Sequence, residues 1–172
     1  VLNFDVEAGN GAPVANVGGP YSVYEGTLIE FSAGSSLDPD GGELTYAWDL
    51  DGDGAFDDSG NSSTASLTYP ATGVFPVSVR VTDQSGKTAD ATARVVVRNV
   101  NPRIDSVNNS ESPLDEGQTF RVGVTVVDPG ADVLTYSFDW EGDGNYDDDY
   151  TAATIADASH LYIQDGNYTA RL

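Results

Sequence analysis

The stretch LTYAWDLDGDGAFDD, from Leu44 to Asp58, returns as LTYSFDWEGDGNYDDD from Leu134 to Asp149, 90 positions later. A fixed internal period of this size means two copies of one structural unit rather than one large domain. The correspondence spreads outward from that core. SLDPDG around Asp38 is answered by VVDPG around Asp128, and YEG ending at Gly26 by DEG ending at Gly117. Tyr69, Gly73 and Phe75 fall in step with Tyr162, Gly166 and Tyr168.

Inside each copy apolar residues alternate with polar ones, as in VFPVSVRV from Val74, TARVVV from Thr92 and FRVGVTVV from Phe120. That period of two is the strand signature, and the intervening Pro, Gly, Asp and Asn clusters are turn chemistry. No segment shows a helical period. The expected fold class is all-β: two tandem immunoglobulin-like β-sandwiches, the second lacking its last strand. Aligning Leu172 with Val79 leaves Arg80 to Arg98 without counterparts in copy two. The expected boundaries are a strand-like segment at 1–11, a first sandwich at 12–100 and a second, shortened one at 101–172.

Charge narrows function. Among 172 residues, 28 are Asp or Glu and seven are Lys or Arg, for a formal net charge of -21. Such a surface repels phosphate backbones and anionic headgroups, which excludes nucleic acid as a partner. Without cysteine, and with one histidine, there is no basis for a disulfide, a thiolate nucleophile or a multi-His zinc site. No run approaches the roughly 20 apolar residues of a membrane-spanning helix, so insertion is not expected. Oxygen-ligand cations are what this composition favours.

The acidic turn supplies such ligands. Alternation along YAWDLDGDG sends Tyr46, Trp48 and Leu50 to one face and Asp49 and Asp51 to the other, while Gly52-Asp53-Gly54 turns Asp53 back toward them. Asp49, Asp51, Asp53 and Asp57 thus stand at positions 1, 3, 5 and 9 with Gly at 6, the first part of a calcium-loop pattern. Copy two repeats the constellation as Asp139, Glu141, Asp143 and Asp147. The acid expected at position 12 is absent, with Gly60 and Tyr150 there, so the loop is not an EF-hand. Calcium is the expected cofactor at both turns. The competing reading is a solvated hairpin in which Asp and Gly serve the turn alone.

Other residues read as structural. Trp48 and Trp140 belong with the core, whereas Tyr21, Tyr24 and Tyr150 are candidates for surface contacts. His160 in an HLY step is a packing residue, and no serine stands with it as a nucleophile.

Taken together, PVANVGGPYSVYEG, FSAGSSLDPDGGELTYAWDLDGDG and YPATGVFPVSVRVTDQSG in copy one, with DPGADVLTYSFDWEGDG and HLYIQDGNYTARL in copy two, resemble tandem PKD (polycystic kidney disease) domains of bacterial extracellular and cell-surface proteins. His160 falls on the family's His-x-Tyr step, and Leu67 replaces that histidine in copy one. The resemblance implies a second cation site, at Asn16, Asp38, Asp40 and Asp83 in copy one and Asp105, Asp128 and Asp132 in copy two. The same Asp38 and Asp40 also read as caps of the turn around Pro39. The resemblance further implies a non-enzymatic, calcium-stabilised extracellular module for structural spacing, adhesion or filament and surface-layer assembly. The alternative is an accessory substrate-binding module of a secreted polysaccharide hydrolase or protease. Expected partners are a protein or glycan on a surface, or neighbouring copies joined by strand addition through the run containing Val1, Phe4 and Val6.

Overall fold

The computed structural model describes residues 9–110, 113–130, 132–152, 155–164 and 166–172. Every element within them is a strand, and the chain divides into two units, Val1–Asn99 and Val100–Leu172. The strand-like run expected over 1–11 lies, up to residue 8, outside the described residues.

Unit 1 contains β1 (Tyr21–Tyr24), β2 (Leu28–Ser32), β3 (Thr45–Asp49), β4 (Asp58–Gly60), β5 (Thr64–Thr68), β6 (Gly73–Thr82) and β7 (Thr88–Arg98). One sheet runs β1-β7-β6-β3-β4 and the facing sheet pairs β2 with β5. β1 lies parallel to β7, while the other pairs are antiparallel. The alternation in VFPVSVRV does what a half-buried strand requires: Val77, Val79 and Val81 are fully buried against Phe31, Trp48 and Tyr69, and the intervening residues face outward. Each buried valine contributes about 1.5 kcal/mol of apolar transfer. Pro76 sits in β6 just beyond the residues that pair with β3, Ser78 to Thr82, where its missing N–H leaves that ladder intact.

Unit 2 contains β8 (Arg103–Asn109), β9 (Thr119–Val127), β10 (Leu134–Phe138), β11 (Asp148–Ala152) and β12 (Ile155–Leu161). Its sheets are β12-β9-β8 and β10-β11. The core comprises Val122, Val124, Tyr136, Phe138, Trp140 and Ala158. A single bridge, Asp139 to Arg171, stands where Asp49 pairs with Ser78 in unit 1.

Both tryptophans are buried, Trp48 at 3% and Trp140 at 0% exposure, as alternation predicts. Of the tyrosines expected at the surface only Tyr24 is exposed. Tyr21 packs edge-on against Phe31 and donates its hydroxyl to the Val17 carbonyl, and Tyr150 packs edge-on against Phe138. A short strand presents an aromatic ring to whichever layer covers it, and that layer is not visible in the local pattern.

The acidic turns as a candidate cation site

β3 ends at Asp49, and the next five residues form the turn that returns the chain toward β4. The sequence expectation placed Asp49 outward beside Asp51. Instead Asp49 is 5% exposed, because the alternation stops with the strand and the carboxylate folds under the turn. There it accepts the Gly52 N–H at 2.7 Å on Oδ1 and the Gly54 N–H at 3.1 Å on Oδ2. Gly52 and Gly54 have φ of 78° and 91°, a region that suits glycine. A Cβ on Gly52 would also lie 2.5 Å from Pro76 Cγ, so the turn is pressed onto β6.

Unit 2 repeats the device. Asp139, 1% exposed, accepts Gly142 N–H at 2.6 Å and Asp143 N–H at 3.1 Å on Oδ1, and Gly144 N–H at 2.9 Å on Oδ2. A Cβ on Gly142 would meet the Thr169 carbonyl oxygen at 2.4 Å. A further clamp shows in the sequence only as the recurrence of Tyr69 and Tyr162. The Tyr69 hydroxyl donates to the Leu50 carbonyl at 2.8 Å, and the Tyr162 hydroxyl to the Trp140 carbonyl at 2.8 Å. Each tyrosine lies 19 or 22 residues further along the chain and pins the residue after the buried aspartate.

Of the expected ligands, one carboxylate oxygen each from Asp49, Asp51 and Asp53 lie within 4.8 Å of one another in unit 1. In unit 2 the converging set is Asp139, Glu141 and Asp147. Asp57 is exposed and stands apart from the first set, whereas its counterpart Asp147 joins the second and accepts the Trp140 N–H at 3.0 Å. Asp143 stands apart as well. Its oxygens accept the Asn145 backbone N–H at 2.8 Å and side-chain amide at 3.0 Å, and these bonds hold its carboxyl below the usual range. Each turn therefore offers three carboxylates rather than four. All donors are oxygens, the hard-ligand chemistry of calcium, which takes about six to eight and leaves places for water and backbone carbonyls. Asp49 accepts one N–H bond on each oxygen, which leaves each a second lone pair for a cation, whereas Asp139 keeps one on Oδ2 and accepts two N–H bonds on Oδ1.

Electrostatics differ between the turns. Burial, then the hydrogen bond and charge of Asp147, push the Glu141 carboxyl upward, opposed by His160, whose Nε2 lies 3.3 Å from Glu141 Oε1. His160 stacks on Trp140 at 5.5 Å between ring centroids and meets Tyr162 edge-on at 4.7 Å, a packing role as its step suggested.

The second expected site in unit 1 is taken apart into separate turn caps. Asn16 Oδ1 accepts the Gly18 N–H at 2.8 Å, and Asp38 Oδ1 the Asp40 N–H at 3.0 Å, while Asp40 accepts the Gly11 N–H. Asp83, 5% exposed, accepts from Asn10 Nδ2 at 2.8 Å, Ser85 N at 2.9 Å, Ser85 Oγ at 2.9 Å and Lys87 N at 2.8 Å. Desolvation raises its pKa, but the bonds from Asn10, Lys87 and Ser85 together outweigh it and hold the carboxyl at about 2. In unit 2, Asp105 pairs with Arg103 at 2.9 Å and Asp128 caps the Gly130 N–H at 3.4 Å, while one carboxylate oxygen each from Asp128 and Asp132 lie within 4.8 Å of each other.

Residues 10–97 match the family model of the PKD domain. The chain belongs to the PKD domain family. A microbial collagenase of Vibrio alginolyticus is 36% identical over 88 residues, 51% of this chain and 10% of that protein. Collagenase ColQ1 of Bacillus cereus (strain Q1) is 29% identical over 122 residues, 71% of this chain and 12% of that protein. The chain thus spans about a tenth of the length of these curated relatives. Among solved structures, the PKD1 domain of Vibrio anguillarum Epp is similar at 32% identity with a TM-score of 0.41, covering 52% of this chain and 96% of that one. Among the described residues no helix is long and apolar enough to cross a membrane.

Proposed function

We propose that this PKD chain is a non-catalytic module of a larger extracellular bacterial protein, built from two sandwiches of the same kind and rigidified by calcium at its two acidic turns. The observation that carries the reading is the convergence of three carboxylates within 4.8 Å at the same turn of each unit, behind a buried aspartate that fixes the backbone. Like charges held this close repel, and a bound divalent ion replaces that repulsion with coordination. Asp49, Asp51 and Asp53 hold one ion and Asp139, Glu141 and Asp147 the other.

Two similar relatives are collagenases of which the chain matches only a tenth, which favours the accessory role: a unit that holds an enzyme on an insoluble substrate rather than one that cleaves it. The internal repeat favours structural spacing as the second reading.

Thermal melting in calcium against chelator tests the first part. A ligand bound only by the native state adds about 2.7 kcal/mol at 100 times its Kd, so the midpoint rises with calcium. It ceases to respond when Asp51 and Asp53 become Asn together with Glu141→Gln and Asp147→Asn. Identical melts with and without calcium refute it. Co-sedimentation with insoluble collagen and with cellulose tests the second part; retention on neither favours spacing.

A further inference from the structure

Asn10 is followed by Gly11, and no other asparagine of the chain precedes a glycine. That pair carries its own chemistry, since asparagine is thermolabile and glycine has no Cβ to keep its nitrogen away from the preceding side chain. Once both residues are free to move, the Gly11 nitrogen reaches the side-chain carbonyl carbon of Asn10, Cγ. In unit 1 both are tied. The two hydrogens of Asn10 Nδ2 are shared among Asp83 Oδ2 at 2.8 Å, Ser85 Oγ at 2.7 Å and the Gly11 carbonyl at 2.8 Å. The Gly11 N–H donates to Asp40 Oδ2, and Lys87 Nζ donates to the Asn10 backbone carbonyl.

The junction joins parts of the chain 73 residues apart. Asp83 is 5% exposed and organises the turn between β6 and β7, where its Oδ1 accepts the Ser85 and Lys87 N–H groups and the Ser85 hydroxyl. Desolvation pushes the Asp83 carboxyl up, and of the bonds that bring it down to about 2 the one from Asn10 is the largest. The Asn10 amide is therefore held by an ionised, buried acceptor, the stronger class of hydrogen bond. Asn10 itself is exposed, so water reaches it.

We infer that Asn10 is a deamidation site whose rate is set by its clamp to the turn from Asp83 to Lys87. The Gly11 nitrogen attacks Asn10 Cγ, the Cγ–Nδ2 bond breaks, and ammonia leaves with the Gly11 proton. Water then opens the cyclic imide, at Cγ to give aspartate or at the Asn10 backbone carbonyl carbon to give isoaspartate. Attack requires Nδ2 to leave Asp83 and Ser85 and the Gly11 N–H to leave Asp40, so the closed clamp holds the pair unreactive and its opening starts the reaction. The product does not fit the clamp it came from. A carboxylate at position 10 offers Asp83 no proton and repels it at short range. Conversion is thus a one-way release of this segment from the turn, and it depends on neither calcium nor the host protein.

The test incubates the whole chain at neutral pH beside a synthetic peptide of residues 7–14, EAGNGAPV, and follows position 10 by mass-spectrometric peptide mapping for acid and isoaspartate. The free peptide converts fastest and the parent protein slowest. Asp83→Asn keeps a carbonyl oxygen for Ser85 and Lys87 but turns an NH2 toward Asn10, and converts about tenfold faster than the parent. Ser85→Ala falls between the two. Circular dichroism shows whether each variant keeps its strands. Asn10→Asp supplies a readout that needs no conversion: the Asp83 carboxyl titrates at higher pH by NMR, and the 85–87 amides exchange faster. Equal rates for parent and free peptide overturn the inference, as does a folded Asp83→Asn or Ser85→Ala protein that converts no faster than the parent. A cross-link between positions 10 and 87, formed by attack of the Lys87 amine in place of Gly11, or an Asp83 titration unchanged by Asn10→Asp, overturns it as well.

Discussion

Replacing the buried turn aspartate separates a carboxylate that organises backbone from one that merely decorates a loop. Asp49 accepts two backbone N–H groups, at 2.7 and 3.1 Å, while 5% exposed. A hydrogen bond to a charged acceptor contributes about 1.5–3 kcal/mol net. Gly54 lies at the surface and its N–H regains water once the acceptor is gone, so Asp49→Ala should cost about 3–4 kcal/mol rather than the sum of two full bonds. Asp49→Asn keeps one acceptor oxygen but turns an NH2 toward the other donor, for a loss of about 2 kcal/mol. Asp51 is exposed and accepts only the Asp53 N–H at 3.2 Å, so Asp51→Ala should cost less than about 1 kcal/mol. Urea unfolding in chelator, with hydrogen exchange at β3 and β6 reporting unit 1 separately, measures all three. Equal losses for Asp51→Ala and Asp49→Ala, or an Asp49→Asn protein as stable as the parent, would refute the claim that this carboxylate holds the turn.

The two turn glycines should respond unequally: Gly52→Ala adds a clash with Pro76 to its positive φ and should cost about 2–4 kcal/mol, whereas Gly54→Ala meets nothing within 4 Å and should cost about 1 kcal/mol, compared by thermal melts. Asp83, held at about 2, has a folded pKa below its unfolded value, so its contribution is fully present above about pH 4 and is lost as pH falls toward 2. Urea midpoints at pH 7, 4 and 2.5 should therefore converge for the parent and Asp83→Asn, and parallel curves would show that Asp83 contributes nothing to acid sensitivity. Tyr69→Phe removes the 2.8 Å bond to the Leu50 carbonyl and should cost about 1 kcal/mol with faster exchange in the 50–54 turn, read by hydrogen-exchange mass spectrometry.

The all-β architecture and the internal repeat were legible in sequence because both are periodic. Alternation at two residues follows from strand geometry alone, and Val77, Val79 and Val81 are buried where it placed them. The acidic turn was legible as a place for the same reason, since GDG with flanking acids has no other local outlet. Which carboxylates converge was not. Asp57 and Asp147 occupy the same position in the repeat, yet only Asp147 joins its cluster. Asp49 is buried rather than outward because β3 ends there, and where a strand ends depends on its partner β6, 29 residues along the chain at Ser78. Tyr69 is likewise invisible as a turn clamp until the sandwich brings it within 2.8 Å of Leu50. Spacing along a chain fixes which side of a strand a residue takes while the strand lasts. The ends of strands, and the atoms that meet there, are decided by pairing and packing across the whole unit.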